Sequence, residues 1–336
     1  MPHLMSAALR AAAFRLRAST VRAALPAALA LFLSSGWAPA ASTSIDLPGA
    51  TVYPESLSSS KDGTLYVGDI ADGGVLRIRP NGAPERWIKP GAFGSASVLG
   101  VLVDEPSNTL WICSNDLSSM GIKVPGAAAG SALIGFDLKS GSGKVRAQFP
   151  GEHNLCNDMA IGADGSAYVT NSDAPQILKL SPGGKQLEVW FSDASLQPAP
   201  NGTGLDGIAF DGDGNLYVNR FDAADLYRIA VKGGKAGRVT KLTPSRKLEL
   251  TDAIRPLGHG VFLLIEGAGR LDTMTIKGDD AVIATLKDGY VTPTGVTWVG
   301  DIAWVSEGQL DYLFDPAKHG RKPRLPFRLF AVPLPK

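Results

Sequence analysis

The sequence is poor in several residue types, and each shortage narrows the possible functions. Of 336 residues only two are cysteine and four are histidine. The histidines (His3, His153, His259 and His319) show none of the spacings typical of zinc sites. Lysine and arginine (33) nearly balance aspartate and glutamate (32), giving a net charge of +1. This balance gives no electrostatic basis for binding nucleic acid or anionic lipid, so the expected partner is a small molecule.

Long apolar runs are also missing. The first 40 residues contain several arginines, then an apolar stretch at 23–33 interrupted by Pro26, then Ala38-Pro39-Ala40. This order is typical of a secretory signal peptide, and the apolar stretch is shorter than the roughly 20 residues that span a bilayer. We therefore expect residues 1–40 to be a signal peptide and residues 41–336 to form one exported domain, periplasmic or secreted, without a transmembrane segment. The sequence does not indicate an oligomeric state.

The two cysteines leave two alternatives. An exported chain meets an oxidising compartment, where Cys113 and Cys156 can form a disulfide. They can equally remain two separate buried thiols that pack as small apolar groups.

A short phrase recurs six times along the chain. Each copy is a turn followed by a run of aliphatic and aromatic residues, as in Gly63-Thr64-Leu65-Tyr66-Val67. The copies lie at 63–67, 108–112, 165–169, 214–218, 260–264 and 300–305. Asp-Gly pairs precede three of them, a strong signal for β-hairpin turns. The spacing predicts an all-β, six-bladed β-propeller. The last blade lacks a fourth strand at the C-terminus, so we expect residues 44–47 to supply it and close the ring.

Polar residues stand at the predicted start of four inner strands, which meet at one mouth of the central channel. They are Glu55, Asn157, Asp206 and Asp252. Their oxygens suit a hard divalent ion such as Ca²⁺, with Zn²⁺, Mn²⁺ or Mg²⁺ as alternatives. Three carboxylates packed together without a cation would repel each other. The alternative is that each residue caps a turn, as Asp and Asn commonly do.

The motifs that carry these residues resemble those of the SMP-30/gluconolactonase family of propeller lactone hydrolases. The resemblance begins at Tyr53-Pro54-Glu55, and its most specific pieces are Asn157-Asp158 with the segment 163–172 that follows, and Thr251-Asp252. The resemblance implies that Glu55, Asp206 and Asp252 bind a divalent ion with Asn157 nearby, and that Asp252 also acts as general base. Asp206 stands where the family usually has asparagine. Leu155 stands where some members use arginine to hold the substrate.

The expected function is hydrolysis of a small lactone or ester that depends on a divalent metal ion. Loop residues at the same mouth would contact the substrate: Asn171, Arg220, Glu266 and Glu307. One alternative is a propeller without catalytic activity that binds a ligand or protein at its channel mouth. Another is a lyase or condensing enzyme of similar shape.

Two familiar patterns are rejected. Residues 202–207 match a dinucleotide-binding fingerprint, but a strand rather than a helix is predicted to follow. Residues 211–215 begin like a calcium-binding EF-hand loop but lack its glycine and closing glutamate, so a hairpin turn is expected.

Overall fold

The computed structural model describes residues 43–200, 202–318 and 320–335. These residues form six sheets of four or five strands, antiparallel except for one short strand, arranged as the predicted six-bladed β-propeller. The predicted signal peptide lies outside the described residues. No helix within the described ranges has the length and apolar character needed to cross a membrane.

Each blade runs from an inner strand beside the channel to an outer strand at the rim. The first three blades, from inner to outer strand, are Pro54–Ser59, Leu65–Asp69, Val75–Ile78 and Glu85–Ile88; Ser97–Asp104, Thr109–Asn115, Ser131–Asp137 and Gly143–Gln148; and Cys156–Ile161, Ala167–Asn171, Gln176–Leu180 and Glu188–Ser192. The next two are Leu205–Phe210, Leu216–Arg220, Leu226–Lys232 and Lys235–Lys241; and Thr251–Gly258, Val261–Glu266, Arg270–Lys277 and Asp280–Asp288. The sixth is Pro293–Val299, Ile302–Glu307, Arg328–Pro333 and Ser44–Asp46.

The predicted Asp-Gly turns connect inner and second strands. Gly165 and Gly214 adopt φ of 75° and 89°, values that favour glycine. Aspartates in the turns stabilise them. Asp164 Oδ1 accepts a hydrogen bond from the Ser166 amide at 3.0 Å, and Asp211 Oδ1 accepts one from the Asn215 amide at 2.8 Å. The segment 211–215 is therefore a hairpin turn, as expected.

The N-terminal strand closes the ring, as predicted. Ser44 pairs with Phe330 and Asp46 with Arg328 in an antiparallel ladder. The Arg328 guanidinium also donates to Asp46 at 2.8 Å. Pairing the two ends of the chain in one sheet covers the outer edge of Arg328–Pro333.

Two features differ from the sequence-based expectation. Blade 5 has a fifth strand, Thr243–Pro244, that pairs in parallel with Asp280 and Ala281. Short helices also occur in the connections; they are the α-helix Asp311–Phe314 and the 3₁₀ helices Ala92–Gly94, Ser118–Met120, Ala194–Leu196 and Pro316–Lys318. A two-residue strand and single-turn helices are too short to produce a periodic pattern.

The core lies largely between neighbouring blades. At the contact of blades 3 and 4, Tyr168 packs edge-on against Phe210, with ring centroids 5.1 Å apart, and against Trp190 at 4.9 Å. Leu216 and Ile229 are fully buried in the same cluster. Aromatic residues in the recurring phrase thus bind adjacent blades together.

A β-bulge or register shift interrupts the start of the inner strand in all six blades. In blade 3, for example, Cys156 pairs with Asn171 and Met159 with Val169, so the two residues between them are out of register. The interrupted segments contain the four residues singled out from the sequence: Glu55, Asn157, Asp206 and Asp252. Bulges commonly redirect side chains beside functional sites.

Candidate functional site

The four predicted residues come together inside the central channel. Glu55, Asn157, Asp206 and Asp252 line one small cavity. Each is only 4–6% exposed. Residues at equivalent positions of the repeat thus meet at one place. Three of the four side chains are acidic, and the space that they share is largely shielded from solvent.

Glycine allows the inner strands to approach closely here. A Cβ atom on Gly207 would lie 2.4 Å from the Asp252 carbonyl oxygen and 2.7 Å from the Ile254 nitrogen. A Cβ on Gly100 would lie 2.2 Å from the Asn157 carbonyl oxygen. The absence of side chains at these two positions therefore helps bring the cluster residues together.

A buried ion pair completes the cluster and was missed by sequence reasoning. Arg255 from blade 5 donates from Nη2 to Asp158 Oδ1 at 3.0 Å and from Nη1 to Asp158 Oδ2 at 2.6 Å. Arg255 Nη1 also donates to the Ile254 carbonyl at 2.8 Å. The one available signal was an arginine among the apolar residues of a predicted inner strand. Because Asp158 takes this cation in a bidentate pair, Glu55, Asp206 and Asp252 lie near the Arg255 charge without forming an ion pair with it.

Hydrogen bonds fix Asn157 and Asp206 within the cluster. The Asn157 side-chain amide donates to Asp206 Oδ2 and to Ser172 Oγ, both at 3.0 Å. Ser172 Oγ in turn donates to the Leu205 carbonyl at 2.6 Å. The Asn157 amide nitrogen therefore faces Asp206 and Ser172.

Burial and mutual repulsion make the three carboxyl groups hard to ionise. Burial, followed by the charges of Asp206 and Asp158, raises the pKa of Glu55 well above its usual value. The same causes, burial first and the Asp158 charge second, raise the pKa of Asp206 to about 7. Burial and the charges of Asp206 and Glu55 raise the pKa of Asp252 well above normal. Because Asp206 and Asp252 lie close together in this buried space, ionising one makes it harder to ionise the other.

The donor chemistry of the cluster fits a hard cation, because carboxylate oxygens dominate it and their charge is uncompensated. Within the described ranges, however, no group of three or more His, Cys, Asp or Glu side chains has an arrangement ready to hold a metal ion. Binding of a cation would release any protons that these carboxyl groups hold. A divalent ion therefore stays a prediction.

The residues predicted to contact substrate make protein contacts instead. Asn171 is fully buried; its Oδ1 accepts the Leu155 amide at 3.0 Å. Glu266 is also fully buried and accepts the Glu249 amide at 2.6 Å. Glu307 accepts the Val291 amide at 2.7 Å. Asn171, Glu266 and Glu307 each end a second strand and stabilise the segment leading into the inner strand of the same blade.

Arg220, the fourth predicted substrate residue, is partly exposed. Its guanidinium forms an ion pair with Asp225 and donates to the Gln197 carbonyl at 2.6 Å. The structure thus brings the predicted metal ligands together. The residues predicted to contact substrate form hydrogen bonds and ion pairs within the protein.

A disulfide lies directly beside the cluster. Cys113 of blade 2 is bonded to Cys156 of blade 3, which precedes Asn157. Asn115 reinforces the connection: its Oδ1 accepts the Cys156 amide at 2.9 Å and its Nδ2 donates to the Cys156 carbonyl at 2.8 Å. Of the two alternatives for the cysteines, the structure has the paired one, which anchors the inner strand of blade 3.

Several solved structures are similar in fold to this six-bladed propeller. The fold is similar to that of a gluconolactonase, XC5397 from Xanthomonas campestris, with a TM-score of 0.62 and 17% identity over 87% of this chain and 89% of that one. It is also similar to the major Malassezia sympodialis allergen Mala s 1, with a TM-score of 0.64 and 16% identity over 87% and 96% of the two chains.

A third similar structure is virginiamycin B lyase from Staphylococcus aureus, with a TM-score of 0.55 and 15% identity over 86% of this chain and 83% of that one. No protein-family model matches the chain, and no curated protein sequence matches it. In fold, then, the chain is a six-bladed β-propeller similar to these three structures.

Proposed function

We propose that this protein is an exported hydrolase that opens a small lactone or ester with the help of a divalent ion. One observation carries the proposal: Glu55, Asp206 and Asp252 are buried together, while the nearby Arg255 is paired with Asp158. Collecting three buried carboxyl groups costs stability, since each must lose its hydration. Such costs are characteristic of functional sites.

The oxygens of Glu55, Asp206 and Asp252 would hold the ion, with Asn157 beside them. A bound divalent ion would polarise the substrate carbonyl and make a water molecule more acidic. Its charge would also favour ionised carboxylates, which reverses the pKa shifts caused by their repulsion.

Asp252 is the candidate general base. Its inner strand is fixed by Asn219, which donates to the Asp252 carbonyl at 2.5 Å and accepts the Gly207 amide at 2.8 Å. Burial and the nearby charges of Asp206 and Glu55 raise the pKa of Asp252, which strengthens its affinity for a proton. Asn157, hydrogen-bonded to Asp206, orients the second carboxylate.

The structural relatives support hydrolysis as one chemistry of this fold, because a gluconolactonase is among them. Export is supported by the disulfide, since such bonds persist mainly in oxidising compartments. Sequencing the N-terminus of protein recovered from a periplasmic or culture fraction tests export; a start near residue 41 is expected, and an intact N-terminus in the cytoplasm would contradict it.

The function is tested by assaying the mature protein on a panel of small lactones after chelation and after addition of Ca²⁺, Zn²⁺, Mn²⁺ or Mg²⁺. Activity should return with one ion and disappear in Asp252→Asn. Asp213→Asn, in an exposed hairpin turn, is the matched control and should retain activity. Thermal unfolding provides a separate measure of ion binding. An ion at 100 times its dissociation constant should stabilise the fold by about 2.7 kcal/mol. An equally active Asp252→Asn variant would refute the assignment.

A second candidate is a binding propeller without catalytic activity. The specific observation that favours it is the burial of the whole cluster, with no member more than 6% exposed. An ion that stabilises the protein without turnover of any lactone would support this alternative.

A further inference from the structure

A second cavity lies at the opposite end of the channel from the acidic cluster. It has a volume of about 460 Å³ and is formed where the inner strands of blades 1, 2, 5 and 6 approach their ends. Its lining includes Lys61, Leu102, Arg255, Pro256, Thr297 and Trp298. The volume is within the range of small-molecule sites, roughly 300–1,000 Å³.

Trp298 gives this cavity an aromatic wall. Its side chain is among the exposed large apolar groups, at 40% exposure. The indole Nε1 donates to the Pro256 carbonyl at 3.1 Å, which satisfies the ring nitrogen and restrains the ring. A restrained, half-exposed indole ring with its polar atom already bonded leaves apolar ring surface available for contact with a ligand.

Hydroxyl groups hold the neighbouring wall in place. Ser59 Oγ lies 2.8 Å from Thr297 Oγ1 and donates to the Trp298 carbonyl at 3.0 Å. These contacts join blade 1 to blade 6 at the cavity. The wall that carries the Trp298 ring is therefore held by hydrogen bonds between strands of two blades.

The charges at the cavity are already paired. Arg255 is held by Asp158, and Lys61 lies 3.7 Å from Glu105. One donor nevertheless lacks a partner: Arg255 Nε is buried and forms no hydrogen bond. Lys61 is 90% exposed and has donor capacity to spare. The cavity thus offers an apolar ring face, hydroxyl groups and unused donors without an unpaired charge.

We propose that this cavity is a second binding site, distinct from the acidic cluster, for an uncharged sugar ring. The apolar face of the sugar would pack on Trp298, while its oxygen atoms would accept hydrogen bonds from Lys61 and its hydroxyl groups would donate to the hydroxyl oxygens of the wall. Arg255, which contacts Asp158 of the acidic cluster and also lines this cavity, separates the two sites.

The test uses ¹⁵N-labelled mature protein titrated with glucose, galactose and maltose, with glucuronate and benzoate as charged comparisons. The Trp298 indole signal, assigned by its loss in Trp298→Phe, should shift saturably with at least one neutral sugar. Calorimetry should show affinity reduced about tenfold in Trp298→Ala, which is about 1.4 kcal/mol, because the aromatic face that contacts the sugar is lost. Trp298→Phe, which keeps an aromatic face, should bind within a few-fold of the parent.

Two controls separate this site from others. Phe93→Ala removes a side chain that is 48% exposed elsewhere and should leave sugar binding unchanged. Asp252→Asn should also bind normally, so failure of the hydrolase proposal would not affect this one. The proposal is overturned if no sugar shifts the Trp298 signal, if Trp298→Ala binds as well as the parent, or if only glucuronate or benzoate binds.

Discussion

Replacing Arg255 should be far more damaging than replacing its partner. In Arg255→Met, four buried acidic residues would share the channel without a cation: Glu55, Asp158, Asp206 and Asp252. In Asp158→Asn, the arginine would lose its partner but still face Glu55 and Asp252, whose charges already help to raise its pKa against the opposing effect of burial. Arg255→Met therefore leaves four acidic groups without a cation, whereas Asp158→Asn leaves an arginine with two acidic neighbours.

The magnitude follows from the burial of the pair. Both side chains are at most 8% exposed, and their contact is bidentate. Removing one partner of such a pair typically costs about 3–5 kcal/mol. We expect this loss for Arg255→Met and roughly half of it or less for Asp158→Asn. At roughly 2–4 °C per kcal/mol, the midpoint for Arg255→Met should fall by about 10 °C.

Denaturant unfolding of the two single variants and the double variant provides the measurement. The double variant should be more stable than Arg255→Met, because it no longer buries an unpaired Asp158 charge. Lys247→Met breaks an exposed ion pair with Glu249 and serves as control, with a change within about 0.5 kcal/mol. A loss for Asp158→Asn equal to or larger than that for Arg255→Met would refute this reasoning.

Three further predictions concern the scaffold. Cys113 and Cys156 are 43 residues apart, so replacing both by alanine should destabilise the protein by about 4 kcal/mol in chemical unfolding, and a change below about 1 kcal/mol would contradict the role given to the bond. Gly207→Ala should lower the free energy of unfolding by at least about 1–3 kcal/mol, because the new Cβ would collide with backbone atoms. Gly212→Ala, where no atom lies within 4 Å of the new Cβ, should be nearly neutral. Equal effects in thermal unfolding would contradict the collision. Burial, followed by the neighbouring Glu266 carboxyl, raises the pKa of Asp272 to about 6, so the folded state binds this proton more tightly than the unfolded state and stability should fall as pH rises from about 4 through 6. Asp272→Asn should flatten that slope in unfolding curves measured from pH 4 to 8; an unchanged slope would assign it to other groups.

The sequence was sufficient to predict the blades because each carries its own local signals. The Asp-Gly turns and the recurring aromatic strands identify the hairpins, and the missing sixth outer strand requires closure by residues near the N-terminus. Glu55, Asn157, Asp206 and Asp252 could be grouped for the same reason: residues at one phase of a repeat meet at one place. The bulges that position them depend on strand pairing and have no distinct composition.

Contacts between distant residues could not be predicted in this way. Asp158 and Arg255 are 97 residues apart, and nothing in either local segment specifies the other. Asn171 and Glu266 lie at the mouth phase, as reasoned, but their partners are backbone amides whose positions depend on the path of the preceding segment. A residue's position in the repeat thus indicates where it lies in the fold. Its hydrogen-bond partners depend on how the complete ring is assembled.

The closing strand has a consequence for the order of folding. Ser44–Asp46, at the beginning of the described chain, pairs only with Arg328–Pro333, near its end. Each of the first five blades can form most of its pairings within about 50 residues of chain, but the sixth sheet requires a contact across nearly the whole domain. Contacts of such long sequence separation form slowly. The ring therefore cannot close until Arg328–Pro333 has been synthesised, and until Ser44–Asp46 pairs with it the edge of Arg328–Pro333 is available to other strands.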